Sequence, residues 1–377
     1  MTAESTTWFQ RAISTVAVAI LCLIGDGVAF ADAQSRGGAV FTLTNEAASN
    51  AVVVFNRSAS GTLSRPRHFQ TGGRGTGSGL GSQGAIALSR NGRWLFAVNA
   101  GSDDVSVFSV QGTELRLAHR SPSGGTMPIS VTTSRDLVFV LNAGETGNIA
   151  GFTLTRSGAL RPIPDGIRSL SGPATGPAQI SFSPNGDLLV VTEKNTGLVD
   201  LYSVEEDGAV SEAIQVSSNG ETPFGFSFTR HGTLIVSEAF GGQEGESALS
   251  SYRLQNETDI EVVSGSVHDH QSAACWVAVT RNGRYAYTTN TGSGTISGYR
   301  VSRCGALTLL NPDGLTASTG DGSSPIDLAL SNDSAFLYAV ASAAGTIAAF
   351  AVNDDGSLTP LGEVGGLPLS VVGLDAR

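Results

Sequence analysis

The chain is almost without lysine. Lys194 is the only one in 377 residues, so arginine supplies nearly all of the 22 cationic side chains, against 33 acidic ones. The arginines are spread along the chain with no basic stripe, and the net charge is −11, which excludes nucleic acid as a partner. Charged residues make up only 15%, where about 25% is usual for a soluble protein. Cysteine is scarce as well: Cys22 lies in an apolar stretch near the N-terminus, which leaves Cys275 and Cys304. Beyond that stretch no apolar run approaches the ~20 residues of a membrane-spanning helix. There is no G-x-S-x-G elbow, no phosphate-binding loop and no H-E-x-x-H, so three common catalytic designs are absent. No helix of note is predicted.

Glycine is the opposite case. Its 48 residues are nearly twice the usual ~7% share, without a collagen period, and point to many tight turns between short strands. Near the N-terminus Arg11 precedes an apolar run over residues 12–24, followed by Ala29-Phe30-Ala31 and Ala31-Asp32-Ala33. A basic start, a short apolar segment and an A-x-A site predict a secretory signal peptide over residues 1–33, hence a periplasmic or secreted protein with no membrane span once the signal is removed. Leu21 before Cys22 argues against a lipoprotein site.

The remainder, residues 34–377, repeats one motif seven times. Each copy reads as an apolar strand, a turn, a second apolar strand ending mostly in Asn or Glu, a small-residue turn, a third strand, and a weaker fourth. In the second copy strand one (85–89) meets the N-G turn Arg90-Asn91-Gly92, then strands over 94–99, 105–110 and 115–119 follow. The second strands end at Asn45, Asn99, Asn142, Glu193, Glu238, Asn290 and Ala341, a mean spacing of about 49 residues by (341 − 45)/6, within the range of propeller blades. The first copy begins midway, at residue 39 with strand two, and its missing strand one appears at residues 368–374. A circular array loses its free edges only if the last segment completes the first unit. The expected fold is therefore an all-β, seven-bladed propeller with four-stranded blades near 39–73 plus 368–374, 81–125, 126–172, 176–220, 222–270, 271–320 and 323–367. The main rival, a β-sandwich, would not explain seven copies.

In such a ring the starts of strand one (Gln83, Gln179, Phe224, Trp276, Asp327) and the ends of strand two reach one mouth of the central channel. Asn at a strand end is ordinary turn chemistry. Glu is not, so Glu193 and Glu238 stand out. Together with Asp327 they are the expected catalytic carboxylates, and Gln179, Asn142, Asn290 and Trp276 the expected substrate contacts. Residues 72–84, rich in Gly and Ser, read as a mobile loop on the rim. His268-Asp269-His270 could offer two imidazoles to a metal, but with no third ligand nearby it reads as a solvated loop, and neither metal nor cofactor is expected. Cys275 and Cys304 fall at opposite ends of one blade, too far apart for a disulfide, so two free thiols are predicted, Cys275 buried.

Three stretches carry a family resemblance: Ser183-Pro184-Asn185-Gly186 leading to Val191-Thr192-Glu193, Ser89-Arg90-Asn91-Gly92 leading to Val98-Asn99, and the closing Asn353-Asp354-Asp355-Gly356-Ser357-Leu358-Thr359-Pro360-Leu361. Over residues 39–377 the chain resembles the lactonase family of seven-bladed propellers, which includes 6-phosphogluconolactonase and the fungal carboxy-muconate cyclase. That resemblance implies a site at the start of strand one in the fourth blade, where the family reads Gly-Pro-Arg-His and has a Glu ending strand two. Here Gly176-Pro177-Ala178-Gln179 stands in its place, with Glu193 kept. A phosphorylated sugar lactone is a poor match to a site without that Arg and His. Two functions follow: hydrolysis of a lactone or cyclic ester with Glu193 as general base, or a non-enzymatic propeller binding a carbohydrate-like ligand or a protein on its rim.

Overall fold

The computed structural model describes residues 37–256 and 259–377, so the expected signal peptide lies outside the described residues. Seven antiparallel sheets follow one another, each ordered as inner, second, third and outer strand. The second strands run Gly38–Leu43, Trp94–Asn99, Leu137–Asn142, Leu188–Glu193, Thr233–Glu238, Tyr285–Asn290 and Phe336–Ala341, and most are buried throughout. Each lies between two sheet neighbours and under two adjacent blades, which is why they read as unbroken apolar runs. Outer strands such as Glu114–Pro122 are mostly exposed to solvent.

Inner strands of blades 2 to 7 are Ile86–Leu88, Pro128–Ser134, Pro177–Phe182, Pro223–Phe228, Ala274–Val279 and Pro325–Leu330. The inner strand of blade 1 is the C-terminal Val372–Ala376, paired antiparallel with Gly38–Leu43. It sits four residues later at its start than expected, because Pro368–Val371 forms a turn before it. Each inner strand contacts the inner strand of the next blade, all the way round. The array is a closed seven-bladed β-propeller.

Closure leaves a backbone problem. The channel-facing edge of every inner strand carries N–H and C=O groups with no partner in its own sheet. Neighbouring blades supply one at six of the seven junctions. The Asp375 carboxylate accepts from Leu88 N (2.7 Å), Gly84 O from Val131 N (2.8 Å), and Ser130 Oγ from Ile180 N (3.2 Å). Gln179 both donates to Phe226 O (3.0 Å) and accepts from Phe226 N (2.7 Å). Ser237 Oγ donates to Cys275 O and Thr291 Oγ1 to Pro325 O.

Candidate functional site at the channel mouth

The ends of the second strands lie where expected, but their side chains turn into their own blades. Glu193 is fully buried and accepts from Ser171 N (3.0 Å), Ser171 Oγ and Thr196 Oγ1 (2.6 Å). Glu238 accepts from Gly220 N (2.8 Å) and Ser266 Oγ (2.7 Å). Ser171 and Gly220 belong to the crossovers that enter blades 4 and 5, so each Glu fastens the entry to its own blade. Asn142 Nδ2 does the same by donating to Ser123 O (3.2 Å), and Asn290 Nδ2 donates to Thr295 and Ser297. At Glu193 and Glu238 the crossover presents an N–H, and at Asn142 a carbonyl. Asp327 is buried on the inner strand of blade 7, and burial holds its carboxyl well above the usual range. No hydrogen bond joins Glu193, Glu238 and Asp327 to one another among the described residues.

A buried neighbour of Glu193 has no counterpart in the other blades. Asp200, on the third strand, is pushed up to about 8 by burial first and by the adjacent Glu193 second. Its equivalents are Ser250 and Ser297. It accepts no hydrogen bond among the described residues, as befits a carboxyl that keeps its proton.

The mouth itself is crossed by residues 80–84. Residues 72–84 are no free rim loop. Gly75 N and Gly77 N donate to Glu46 O and Asn45 O, and a Cβ on Gly75 would lie 2.1 Å from the Asn45 backbone. The chain then dips into the channel. Trp276 Nε1 donates to Ser82 O (2.9 Å), Ser82 Oγ to Ile129 O (2.9 Å), and Gln83 N to Ala178 O (3.0 Å). The Gln83 amide clamps both backbone groups of Val277 (2.9 and 3.0 Å). One segment thus ties blades 3, 4 and 6 together, and glycine at 225 is required because a Cβ there would lie 2.2 Å from Gln83 Oε1.

Beside this plug sits Lys194. Its Nζ donates to Gly81 O and lies 4.6 Å from the centroid of the Phe224 ring, which in turn packs on Trp276 at 4.9 Å. Burial lowers the pKa of the amine. The neighbouring Cys275 thiol is pushed up to about 12, also by burial, so it is inert as a nucleophile. Lys194 lines a cavity of about 270 Å³ between blades 3 and 4, with Glu145, Asn195, Thr175, Leu80 and Ile129 among its walls. A cavity of mostly apolar walls with one cation, one carboxylate and one amide can hold and polarise a small carbonyl compound. Only Lys194's singularity marked it in the sequence; its contacts with residues 81 and 224 are long-range.

Elsewhere the His268-Asp269-His270 stretch, expected as a solvated loop, is only partly one: His268 ends an outer strand, Asp269 is buried and His270 is exposed. His268 Nδ1 lies 3.0 Å from Glu246 O with its ring against Phe240, and Asp269 is buried and accepts from Gln271 N. No group of three metal-ligating side chains occurs among the described residues. Cys275 is buried and Cys304 exposed, and they are not bonded.

The fold and its plugged mouth define a closed seven-bladed propeller with a ligand-sized cavity beside the channel. The sequence matches the family model for the lactonase seven-bladed β-propeller over residues 29–172 and 148–258, more than half of the chain. The chain belongs to the lactonase family. A comparison with curated proteins returned no match. Among solved structures, a protein from Lactobacillus plantarum aligns with a TM-score of 0.73 at 18% identity, covering 91% of this chain and 99% of that one. The periplasmic gluconolactonase of Pseudomonas aeruginosa aligns at 0.71 and 15%, covering 90% and 99%. A 6-phosphogluconolactonase candidate from Bacteroides fragilis aligns at 0.70 and 16%, covering 92% and 99%. At such identities the likeness speaks for the fold alone.

Proposed function

We propose that this lactonase-family propeller hydrolyses a small lactone or cyclic ester in the cavity beside the plug, as an exported protein. The observation that carries the reading is Lys194, the only lysine in the chain, among the residues lining that cavity. The Lys194 ammonium hydrogen-bonds the ring carbonyl and stabilises the oxyanion that forms as water adds. The Glu145 carboxylate in the same cavity takes a proton from that water and returns it to the ring oxygen as the C–O bond breaks, giving the hydroxy acid. This division moves the base away from Glu193, Glu238 and Asp327, whose carboxyls serve the blades. It fits an uncharged or monocarboxylate lactone better than a phosphorylated one, since a single cation faces the ligand. Export rests on the leader over residues 1–33.

The test is turnover of a lactone panel by the mature protein beside Lys194→Gln, Glu145→Gln and Glu193→Gln. Loss of about a hundredfold or more in the first two, with Glu193→Gln retaining activity, is expected for loss of an oxyanion donor and of a base. Because burial lowers the Lys194 pKa, activity that needs the ammonium falls on the alkaline side at a pH below the usual ~10.4 of lysine. Collapse in Glu193→Gln alone would return the base to Glu193. A second reading, ligand binding without turnover, is favoured by the plug, whose Gln83 clamp narrows the mouth. Saturable lactone binding with no product would establish it.

A further inference from the structure

The turns between first and second strands face the other mouth of the channel, away from the plug. Their first residue builds the turn: Ser89 Oγ meets Asn91 Oδ1 (2.9 Å), Thr280 Oγ1 meets Asn282 Oδ1 (2.8 Å) and Ser331 Oγ meets Asp333 Oδ1 (2.6 Å). The next residue has no part in that geometry, and blades 4 and 7 carry Pro184 and Asn332 there. Blades 2, 5 and 6 carry Arg90, Arg230 and Arg281, all exposed. Turn chemistry does not ask for these arginines.

They line adjoining cavities. One of about 800 Å³ is walled by Arg90, Arg230, Arg281 and Arg284, and one of about 690 Å³ by Arg230, His231, Arg284 and Arg303. A third, of about 540 Å³, adds Arg253. Six of the chain's 22 cationic side chains therefore meet on one face of a protein with net charge −11. Among the described residues only Arg253 of the six is in an ion pair, with Glu261. Asp333 and Asp354 are the carboxylates in the cavity walls, too few to neutralise the cluster. Arg284 and Arg300 lie over the Tyr285 ring at 5.5 and 5.4 Å, and Tyr285 is held by donating to Asp354 O (2.8 Å). Arg230 Nε donates to His231 Nε2 (3.0 Å), which fixes its guanidinium while leaving the two terminal nitrogens for a ligand.

We propose that this face is a binding site for a small multivalent oxyanion, a di- or triphosphate group or a polycarboxylate. The guanidinium fork matches a phosphate or carboxylate with two parallel hydrogen bonds, which an ammonium cannot offer. Several forks around one hollow select for more than one oxyanion group per ligand. A small ligand is favoured over a long polyanion because Asp333 and Asp354 bracket the hollow and the acidic remainder of the surface repels a chain that runs past it. The site is independent of the Lys194 cavity, which opens at the opposite mouth.

Isothermal titration of the mature protein at low salt, with inorganic triphosphate and with citrate as probes, tests the assignment. Saturable binding of at least one probe is expected, weakened about tenfold or more by Arg230→Gln combined with Arg281→Gln, at unchanged circular dichroism. Arg281→Lys alone retains part of the affinity, since charge survives without the fork. Arg303→Gln gives an independent reading should the double variant misfold. Lys194→Gln binds the probes as the parent does, so failure of the lactonase reading and failure of this one are separable. No heat with either probe, or equal affinity in the arginine variants, overturns the proposal. Heparin fragments binding more tightly than triphosphate overturn it too, by making the ligand a polymer.

Discussion

Asp200→Asn is expected to stabilise the protein, by an amount that grows with pH. In the folded chain Asp200 keeps its proton to about 8 through burial and the neighbouring Glu193, whereas an unfolded Asp releases it near 3.9. The folded value is the higher one, so the native state binds more protons between the two. The associated stability is complete below about pH 4 and is lost as pH rises through about 8. Each unit corresponds to about 1.36 kcal/mol, so about 4 kcal/mol has gone by pH 7. Asparagine has no proton to lose, keeps the shape, and offers its Nδ2 to Glu193 where the carboxyl O–H was. The variant should therefore match the parent at pH 4 and exceed it by up to about 4 kcal/mol at pH 7. With an unfolding entropy of about 2.1 cal/mol/K per residue over a domain of this length, the melting temperature should rise by about 5 °C. Calorimetry of both proteins at pH 4.5 and 7.5 reads the difference. The parent itself should be most stable on the acid side, because Asp269 and Asp375, each pushed up to about 6 by burial, and Asp327, raised further, act in the same direction. A variant equally stable or less stable than the parent at both pH values would refute the reasoning, since the buried proton would then carry no linkage.

Two further outcomes follow from the same geometry. Gln83→Ala removes both hydrogen bonds to Val277 and leaves an inner-strand N–H and C=O without partners, which should cost about 2–4 kcal/mol in denaturant unfolding and speed hydrogen exchange at Val277. Thiol labelling of the folded mature protein, mapped by mass spectrometry, should modify Cys304, which is exposed and whose pKa is lowered first by the Ser302 hydrogen bond. It should spare Cys275 until the chain unfolds.

Much of the ring was legible because its second strands are the most constrained elements. Trp94–Asn99 matches the sequence reading residue for residue, and Leu188–Glu193 and Tyr285–Asn290 end where it put them, each bounded by a glycine turn and a polar end. Inner strands were read less well: 85–89 is strand only over Ile86–Leu88, and 368–374 only from Val372, running on to Ala376. Pro177, Pro223 and Pro325 join their sheets across a break in register, and a proline start does not read as strand. Outer strands such as Glu114–Pro122 run longer than their apolar residues suggest, since solvent covers one side. The site was legible only in part. Glu193 and Glu238 were singled out as unlike turn residues, but periodicity cannot say whether a carboxylate faces a ligand or a crossover N–H. Gln179 looked like a channel polar group, and the backbone edge it serves belongs to another blade, while Asp327 is buried and accepts from Leu328 N on its own strand. Lys194 gained its meaning from residues 81 and 224, and the scattered arginines became a cluster only when the blades closed into a ring.

Of the ring's strands, the innermost one of the first blade is made last, and that has a cost in time. Gly38–Leu43 emerges from the ribosome with an unpaired edge and must wait about 330 residues, 372 − 43, for Val372 and its neighbours. At about 5–20 residues per second that is on the order of tens of seconds during which blade 1 is incomplete and the ring cannot shut. Each later blade can assemble from residues already at hand, so the nascent chain grows as an open arc with one vacancy in its first blade. The vacancy closes in a single late event, and any factor that shields Gly38–Leu43 until then would set how much of the product reaches the closed ring.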